Sequence, residues 1–88
     1  MTFRFYGEVE RLYVRRSGCT VRLQNVTPSD AVMPKDEYFH LERDHENYEA
    51  LYSLALLAAS GRHRLSIRTV TDAVPEENAI VEYMVLDW

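Results

Sequence analysis

The feature that most constrains the fold of this chain is residues 45–60, HENYEALYSLALLAAS. Its apolar residues recur every three or four positions, as on one face of a helix, whereas the other segments alternate or consist of turn formers. Asp44 is the expected N-cap, and Gly61 followed by Arg62 is the expected stop at the C-terminal end. The chain is therefore predicted to be mainly β, with one helix.

This helix carries more apolar surface than a small domain can cover. When each residue turns by about 100°, one side of the helix would face the core, and it consists of Tyr48, Leu51, Leu54, Ala55 and Ala58. Further apolar residues lie beside the polar stripe, and one domain covers only one side of a helix. We therefore predict a homo-oligomer in which the flanks of the helix contact a neighbouring subunit. The predicted interface residues are Tyr52, Leu56, Leu57 and Ala59.

The segment before the helix is predicted to form three strands. FRFYGEVERLYVRR, residues 3–16, alternates, but its apolar positions move from odd to even numbers, which indicates a β-bulge near Glu10 or Arg11. A tight turn at 16–18 leads into CTVRLQNV, so the first two strands form a hairpin. A loop rich in turn formers separates this hairpin from the short strand YFHLE, residues 38–42.

Two more strands are predicted after the helix. They are HRLSIRTV, residues 63–70, and AIVEYMVLDW, residues 79–88, which is rich in β-branched and aromatic side chains. In the last strand, regular alternation puts Val81, Tyr83 and Val85 on one face. Because the opposite face is apolar as well, we expect this strand to be covered on both sides.

The order of three strands, a helix and two strands resembles that of an OB-fold, a five-stranded β-barrel with the order β-β-β-α-β-β. The resemblance covers residues 1–88, which we interpret as a single OB-fold-like domain. If residues 38–42 were only a connection, the order would instead be that of a β-grasp fold. A chain of 88 residues buries only about 60% of its unfolded surface, so association with other subunits would stabilise it.

Among OB-folds, a domain of this size with one prominent helix resembles the B subunits of AB5 toxins. This resemblance implies a ring of subunits, such as a pentamer, with the helices lining a central channel and glycans bound on the outer surface. The toxin subunits are exported and contain a disulfide, whereas this chain has a single cysteine, Cys19. The N-terminal residues also lack the pattern of a secretory leader. The prediction is therefore a cytoplasmic protein, or a secreted one if a leader has been removed.

OB-folds commonly bind ligands on the outer face of the second and third strands, between the first hairpin loop and the loop before the last strand. The predicted face combines tyrosine rings with hydrogen-bonding side chains, which suits a glycan or a protein partner. The same combination suits a single-stranded nucleic acid, which we keep as the alternative. We therefore predict a noncatalytic oligomeric binding module that uses the outer face of its first three strands. The predicted ligand-binding residues are Tyr13, Arg15, Arg16, Arg22, Gln24, Tyr38 and His40.

Composition and motifs disfavour several other classes of function. The formal net charge of -4 opposes binding of the whole surface to nucleic acid or to an anionic membrane, and no segment approaches the roughly 20 apolar residues of a transmembrane helix. His40, Glu42 and His45 would ligate a metal only together with Asp44, which is expected to cap the helix. No serine lies in a nucleophile elbow. We therefore predict neither an enzyme nor a protein that binds a metal or a cofactor.

Overall fold

The computed structural model describes residues 4–27 and 29–86. Within them the chain is mainly β, with five strands and one α-helix, as the sequence predicts. The predicted start of the first strand at Phe3 and the end of the last at Trp88 lie outside the described residues. The elements are β1 (Arg4–Arg15), β2 (Gly18–Thr27), a 3₁₀ turn (Lys35–Glu37), β3 (Tyr38–Glu42), α1 (Tyr48–Gly61), β4 (Arg64–Thr69) and β5 (Ala79–Leu86).

The five strands form one closed sheet in the order β1-β2-β3-β5-β4, with β4 returning to β1. All neighbours are antiparallel except β3 and β5, which are parallel. β1 can close the sheet because its first half pairs with β4 and its second half pairs with β2. A register shift between Val9 and Arg11 confirms the predicted bulge, and a second shift lies between Tyr6 and Glu8. Both shifts bend β1 from one partner toward the other.

The interior of the closed sheet is filled by alternate residues of every strand. Phe5 of β1 and Phe39 of β3 meet at the centre, with their ring centroids 4.7 Å apart and their planes tilted by 56°. Each such fully buried side chain contributes about 1.5–3 kcal/mol relative to an exposed one. The other side chains with almost no exposure are Cys19, Val21, Leu41, Leu65, Ile67, Thr69 and Val81.

β3 bears on the β-grasp fold that the sequence leaves open as the alternative. The β-grasp alternative requires YFHLE to be only a connection, but residues 38–42 form a strand. This strand pairs with β2 on one side and with β5 on the other. The condition for the β-grasp fold is therefore not met.

The helix begins later than predicted, and Asp44 is not its N-cap. Asn47 precedes the first helical residue, Tyr48, and makes no capping hydrogen bond with its side chain. Instead, the Nδ1 atom of His45 accepts the backbone N–H of Asn47 at 3.0 Å, and its Nε2 donates to the carbonyl of Glu82 at 2.8 Å. These two bonds hold the preceding residues in turns, so the helix cannot start at residue 45.

The C-terminal end of the helix also differs from the prediction. Gly61 is the last helical residue, and Arg62 takes the left-handed conformation, with φ of 55° and ψ of 36°. The N–H of His63 donates to the carbonyl of Ala58 at 2.9 Å, which closes the last turn. A Cβ atom at Gly61 would lie 2.6 Å from the His63 ring. The glycine therefore makes room for this ring instead of providing the left-handed turn.

The phase of β5 is the third difference from the prediction. A register shift between Arg68 and Thr69 of β4 interrupts the pairing with β5, so the alternation along β5 changes. Val81 and Met84 are buried, whereas Tyr83 and Val85 are 38% and 41% exposed. The prediction that Val81, Tyr83 and Val85 share one face is wrong, and the described chain does not cover the outer side of this strand.

Candidate functional site

Two rows of outward-facing side chains cross β1, β2 and β3. They arise because the core positions of β2 and β3 alternate with positions on the outer surface of the sheet. In each row, the residue on β2 pairs with a residue on β1 and with a residue on β3. The first row consists of Arg11, Arg22 and Tyr38, and the second of Tyr13, Thr20 and His40. We refer to these six residues together with Arg15 as the Tyr13–Tyr38 face.

Two tyrosine rings form the centre of this face. The rings of Tyr13 and Tyr38 pack edge to face, with centroids 5.6 Å apart and an interplanar angle of 89°. The guanidinium carbon of Arg15 lies 5.4 Å from the Tyr13 centroid, and that of Arg22 lies 5.7 Å from the Tyr38 centroid. Arg11 donates to the Tyr38 hydroxyl at 3.1 Å. These contacts fix both rings, so a ligand would meet a preformed aromatic surface.

Polar groups surround a small cleft beside the rings. Arg15 donates to the hydroxyl of Thr20 at 3.3 Å, and that hydroxyl lies 3.5 Å from Nδ1 of His40. The threonine oxygen accepts from the arginine and can donate its own proton to Nδ1. In that tautomer of His40, Nε2 carries the ring proton and can donate to a ligand. Together with Tyr13, Tyr38, Asp36, Lys35 and Asn78, these side chains line a cleft of about 190 Å³.

The position of this cleft agrees with the expected place between two loops. Arg15 comes from the end of β1, next to the β1–β2 turn, whereas Asn78 belongs to the loop before β5. The backbone N–H of Lys35 donates to the carbonyl of Glu77 at 2.9 Å. This hydrogen bond ties the segment before β3 to the loop before β5, so both sides of the cleft are held together.

The positive charges of the face are unevenly neutralised. Nε of Arg22 lies 3.0 Å from a carboxylate oxygen of Glu10, and its Nη2 lies 3.8 Å from Glu37. Within residues 4–27 and 29–86, neither Arg11 nor Arg15 forms an ion pair. Arg15, next to the β1–β2 turn, and Arg11, in the row of Arg22, therefore keep a positive charge that no described carboxylate neutralises.

The structure brings together most, but not all, of the predicted binding residues. Tyr13, Arg15, Tyr38 and His40 line the cleft, and Arg22 contacts the Tyr38 ring from the neighbouring row. Arg16 is exposed in the β1–β2 turn and does not line the cleft. Gln24 lies in a separate depression with Glu10 and Asn25. Arg16 and Gln24 are therefore predicted binding residues that lie outside this cleft.

Comparison with known proteins gives no match among family models, curated proteins or solved structures. The function of the Tyr13–Tyr38 face must therefore be argued from its own chemistry.

Sequence analysis missed five residues of the site. Arg11 and Thr20 become part of it through cross-strand register. The other three reach it from the 3₁₀ turn and from the loop before β5, and they are Lys35, Asp36 and Asn78. The alternation of β2 indicates that Thr20 faces outward, but Arg15 and its neighbours leave it only 3% exposed. The signal that could have found Arg11 is the β1 bulge, because it sets which residue lies opposite Arg22.

The predicted interface residues on α1 divide into two groups. Leu56 and Leu57 are 43% and 49% exposed, and no described loop covers them. Tyr52 and Ala59 are half-buried, and the Tyr52 ring stacks on that of Tyr48 with centroids 6.2 Å apart. The opposite side of the helix packs on β1, β3, β4 and β5. The helix therefore presents the uncovered apolar flank that the sequence predicts.

No metal site is present among the described residues, since no three histidine, cysteine or acidic side chains come together there. His40 points to Thr20, and both ring nitrogens of His45 form hydrogen bonds to the backbone. In residues 4–27 and 29–86, no helix has the length and apolar character that a membrane crossing requires.

Proposed function

We propose that this chain is a noncatalytic binding module with an OB-fold, which assembles into an oligomer and binds a glycan or a protein partner. The fold assignment is supported by the helix between β3 and β4 and by the closure of five strands into one sheet. The ligand site is the Tyr13–Tyr38 face. The oligomer forms through the flank of α1.

The observation that carries the proposed binding function is the edge-to-face pair of Tyr13 and Tyr38 beside a cleft with hydrogen-bonding walls. A pyranose ring has an apolar face that stacks on an aromatic ring and a rim of hydroxyls that need donors and acceptors. Arg15, His40 and Asn78 supply these groups next to the rings. A glycan therefore fits better than an extended apolar peptide, which would leave these polar groups without partners.

A glycan array probed with the labelled protein tests this function. We expect binding to be abolished in the double variant Tyr38→Ala/Arg22→Ala, because it removes one ring and the guanidinium packed on it. The matched control is Tyr83→Ala/Arg68→Ala, which removes the same pair of residue types, with the same guanidinium-to-ring distance of 5.7 Å, outside the cleft. A glycan that the Tyr38→Ala/Arg22→Ala protein binds as tightly as the parent would exclude the face.

The oligomer proposal is supported by the exposed pair Leu56 and Leu57 on the only described α-helix. We infer a closed ring, such as a pentamer, in which the flank of α1 on each subunit meets a different surface of the next subunit, because a heterologous contact that closes generates a ring. Leu56→Glu would place a charge in that contact and should release monomers, with Ser17→Glu in the exposed β1–β2 turn as the control. Native mass spectrometry measures the outcome, and equal masses for Leu56→Glu and the parent would overturn helix-mediated assembly.

A single-stranded nucleic acid is the second candidate ligand of the Tyr13–Tyr38 face. It is favoured by Arg11 and Arg15, which lie beside the rings and form no ion pair within the described residues. Bases stack on such rings while guanidiniums contact phosphates. Fluorescence anisotropy with a labelled oligothymidine at increasing salt tests it. Affinity that falls steeply with salt would support a nucleic acid, and the absence of binding at low salt would exclude it.

A further inference from the structure

A second cluster of arginine and tyrosine side chains lies on the outer surface formed by β1, β4 and β5. Phe5 and Ile67 are buried partners in the register of β1 and β4, so the positions beside them point outward. Arg4 lies opposite Arg68, and Arg68 lies opposite Tyr83. We refer to Arg4, Ser66, Arg68, Tyr83 and Val85 as the Tyr83 cluster. It uses the first half of β1, whereas the Tyr13–Tyr38 face uses the second half.

Both guanidiniums of the cluster donate to one phenol oxygen. Nη2 of Arg4 lies 3.3 Å from the Tyr83 hydroxyl, and Nη1 of Arg68 lies 3.5 Å from it. Guanidinium groups can only donate, so the oxygen of Tyr83 accepts both hydrogen bonds. The phenol proton is then directed away from the two arginines. The cluster thus presents an O–H donor between two N–H donors.

The electrostatics of the cluster favour an anion. Two arginines directly opposite each other on neighbouring strands repel, and nothing in the core requires this pairing. Glu82 lies 3.5 Å from Nε of Arg68, but Arg4 has no carboxylate within ion-pair distance in residues 4–27 and 29–86. The hydrogen bond from Arg68, with a further contribution from Arg4, lowers the pKa of Tyr83 and makes its hydroxyl a better donor.

The cluster also contains room for a ligand. A cleft of about 170 Å³ is lined by all five residues of the Tyr83 cluster and by Ile67. Ser66 adds a hydroxyl, and Val85, which is 41% exposed, adds an apolar wall. The space and its lining suit a small ligand that has a charged oxyanion at one end and an apolar group at the other.

We propose that the Tyr83 cluster is a second ligand site, which binds the phosphate group of a small phosphate monoester. Arg4, Arg68 and Tyr83 each donate to one phosphate oxygen, and Val85 contacts the apolar part of the ester. Phosphate fits better than carboxylate because three donors on three strands match three free oxygens, whereas a carboxylate has two. The proposal does not depend on the function of the Tyr13–Tyr38 face.

Titration with phenyl phosphate at constant ionic strength, followed by two-dimensional NMR of backbone amides, tests this site in the full chain. We expect saturable shifts at Arg68, Tyr83 and Val85, weaker binding of inorganic phosphate, and still weaker binding of acetate. The order follows from the number of oxygens and from the apolar contact. Shifts that do not saturate, or that are spread evenly over the surface, would overturn the proposal.

Two variants and a control sharpen the test. Arg4→Gln should weaken phenyl phosphate binding about tenfold or more, since it removes a charge-assisted hydrogen bond. Tyr83→Phe should weaken the binding of phenyl phosphate several-fold. It should weaken the binding of inorganic phosphate by the same factor. Arg16→Gln removes the same charge from an exposed turn and should have no effect. Equal weakening by Arg4→Gln and Arg16→Gln would mean that phenyl phosphate binds through nonspecific charge attraction to the surface. That result would overturn the site. Because Arg4 and Tyr83 are exposed, we expect both variants to keep the amide spectrum of the parent.

Discussion

The interior of the closed sheet and the Tyr13–Tyr38 face are built from the same strands, but they follow different rules. Inside, Phe5 and Phe39 are at most 1% exposed, and their rings pack against each other and fill the core. Outside, Tyr13 is 37% exposed, and its contacts to Tyr38 and Arg15 are polar or aromatic. Burial explains the inner residues through folding alone. Burial does not account for the outer residues, and for that reason we propose this face as the binding site.

The largest expected effect is the loss of a central aromatic ring. Phe39→Ala removes a fully buried side chain and its contact with Phe5, so it should lower the free energy of unfolding by about 3–5 kcal/mol. Tyr13→Ala on the outer face is the control and should cost less than about 1.5 kcal/mol, the upper value for one aromatic pair. Urea denaturation followed by far-UV circular dichroism measures both. Equal losses would remove the distinction between interior and face.

The interior should also be distinguishable by its response to alkaline pH. Burial raises the pKa of the Cys19 thiol from 9.0 to about 11. Between these values the thiol ionises only in the unfolded chain, so stability is unaffected below pH 9 and falls as the pH rises toward 11. The loss is about 2 to 3 kcal/mol when the pH reaches the folded-state value.

Urea denaturation at several pH values between 8 and 11 measures this loss, with Cys19→Ala as the reference. The variant lacks the thiol but keeps the other groups that titrate in this range. We expect the parent to lose more stability than the variant over the interval. Parallel curves for the two proteins would show that Cys19 is not shielded from water.

The close packing of β2 against β3 at the β1–β2 turn can be tested at Gly18. Gly18 has a φ of 144°, and a Cβ atom there would lie 2.1 Å from the carbonyl oxygen of Leu41. Gly18→Ala should therefore cost about 1–3 kcal/mol in strain. Ser17→Ala, in the exposed turn beside it, should be nearly neutral. Thermal unfolding compares the two variants, and a Gly18→Ala protein as stable as the parent would contradict the close approach of β2 and β3.

The smallest expected effect is a gain in stability at a surface position. Arg62 ends α1 with a φ of 55°, a conformation that costs residues other than glycine about 1–2 kcal/mol. Arg62→Gly should therefore raise the free energy of unfolding by up to about 1 kcal/mol, while Arg16→Gly in the β1–β2 turn should not. Differential scanning calorimetry can resolve this gain. A destabilised Arg62→Gly protein would mean that the arginine side chain contributes a contact to the helix end.

Much of the fold could be predicted from local patterns. The helical period of residues 48–61, the alternation of β2 and the slip in β1 each follow from side chains a few positions apart. The start of α1 could not be predicted, because His45 is held by Glu82, far along the chain. The phase of β5 could not be predicted either, because its irregularity arises in the pairing with β4.

The candidate site was predictable to a similar depth. Tyr13, Tyr38 and His40 follow from alternation along single strands, since outward positions are visible in the sequence. The position of Arg11 in the site depends on the register of β1 and β2. The position of Lys35 depends on its hydrogen bond to the distant loop at Glu77, and local patterns contain neither. The Tyr83 cluster could not be predicted for the same reason. Arg4 and Tyr83 come close because β4 pairs with β1 on one side and with β5 on the other.

The parallel seam between β3 and β5 has a consequence for motion. Only two residue pairs join these strands, Phe39 with Ala79 and His40 with Ile80. The pairing of the closed sheet is therefore weakest there. Backbone amides at this seam should exchange with deuterium sooner than those of β2. Because His40 belongs to both the seam and the cleft, an occupied cleft should slow that exchange. The exchange rate of the amides between β3 and β5 would then show whether the cleft is occupied.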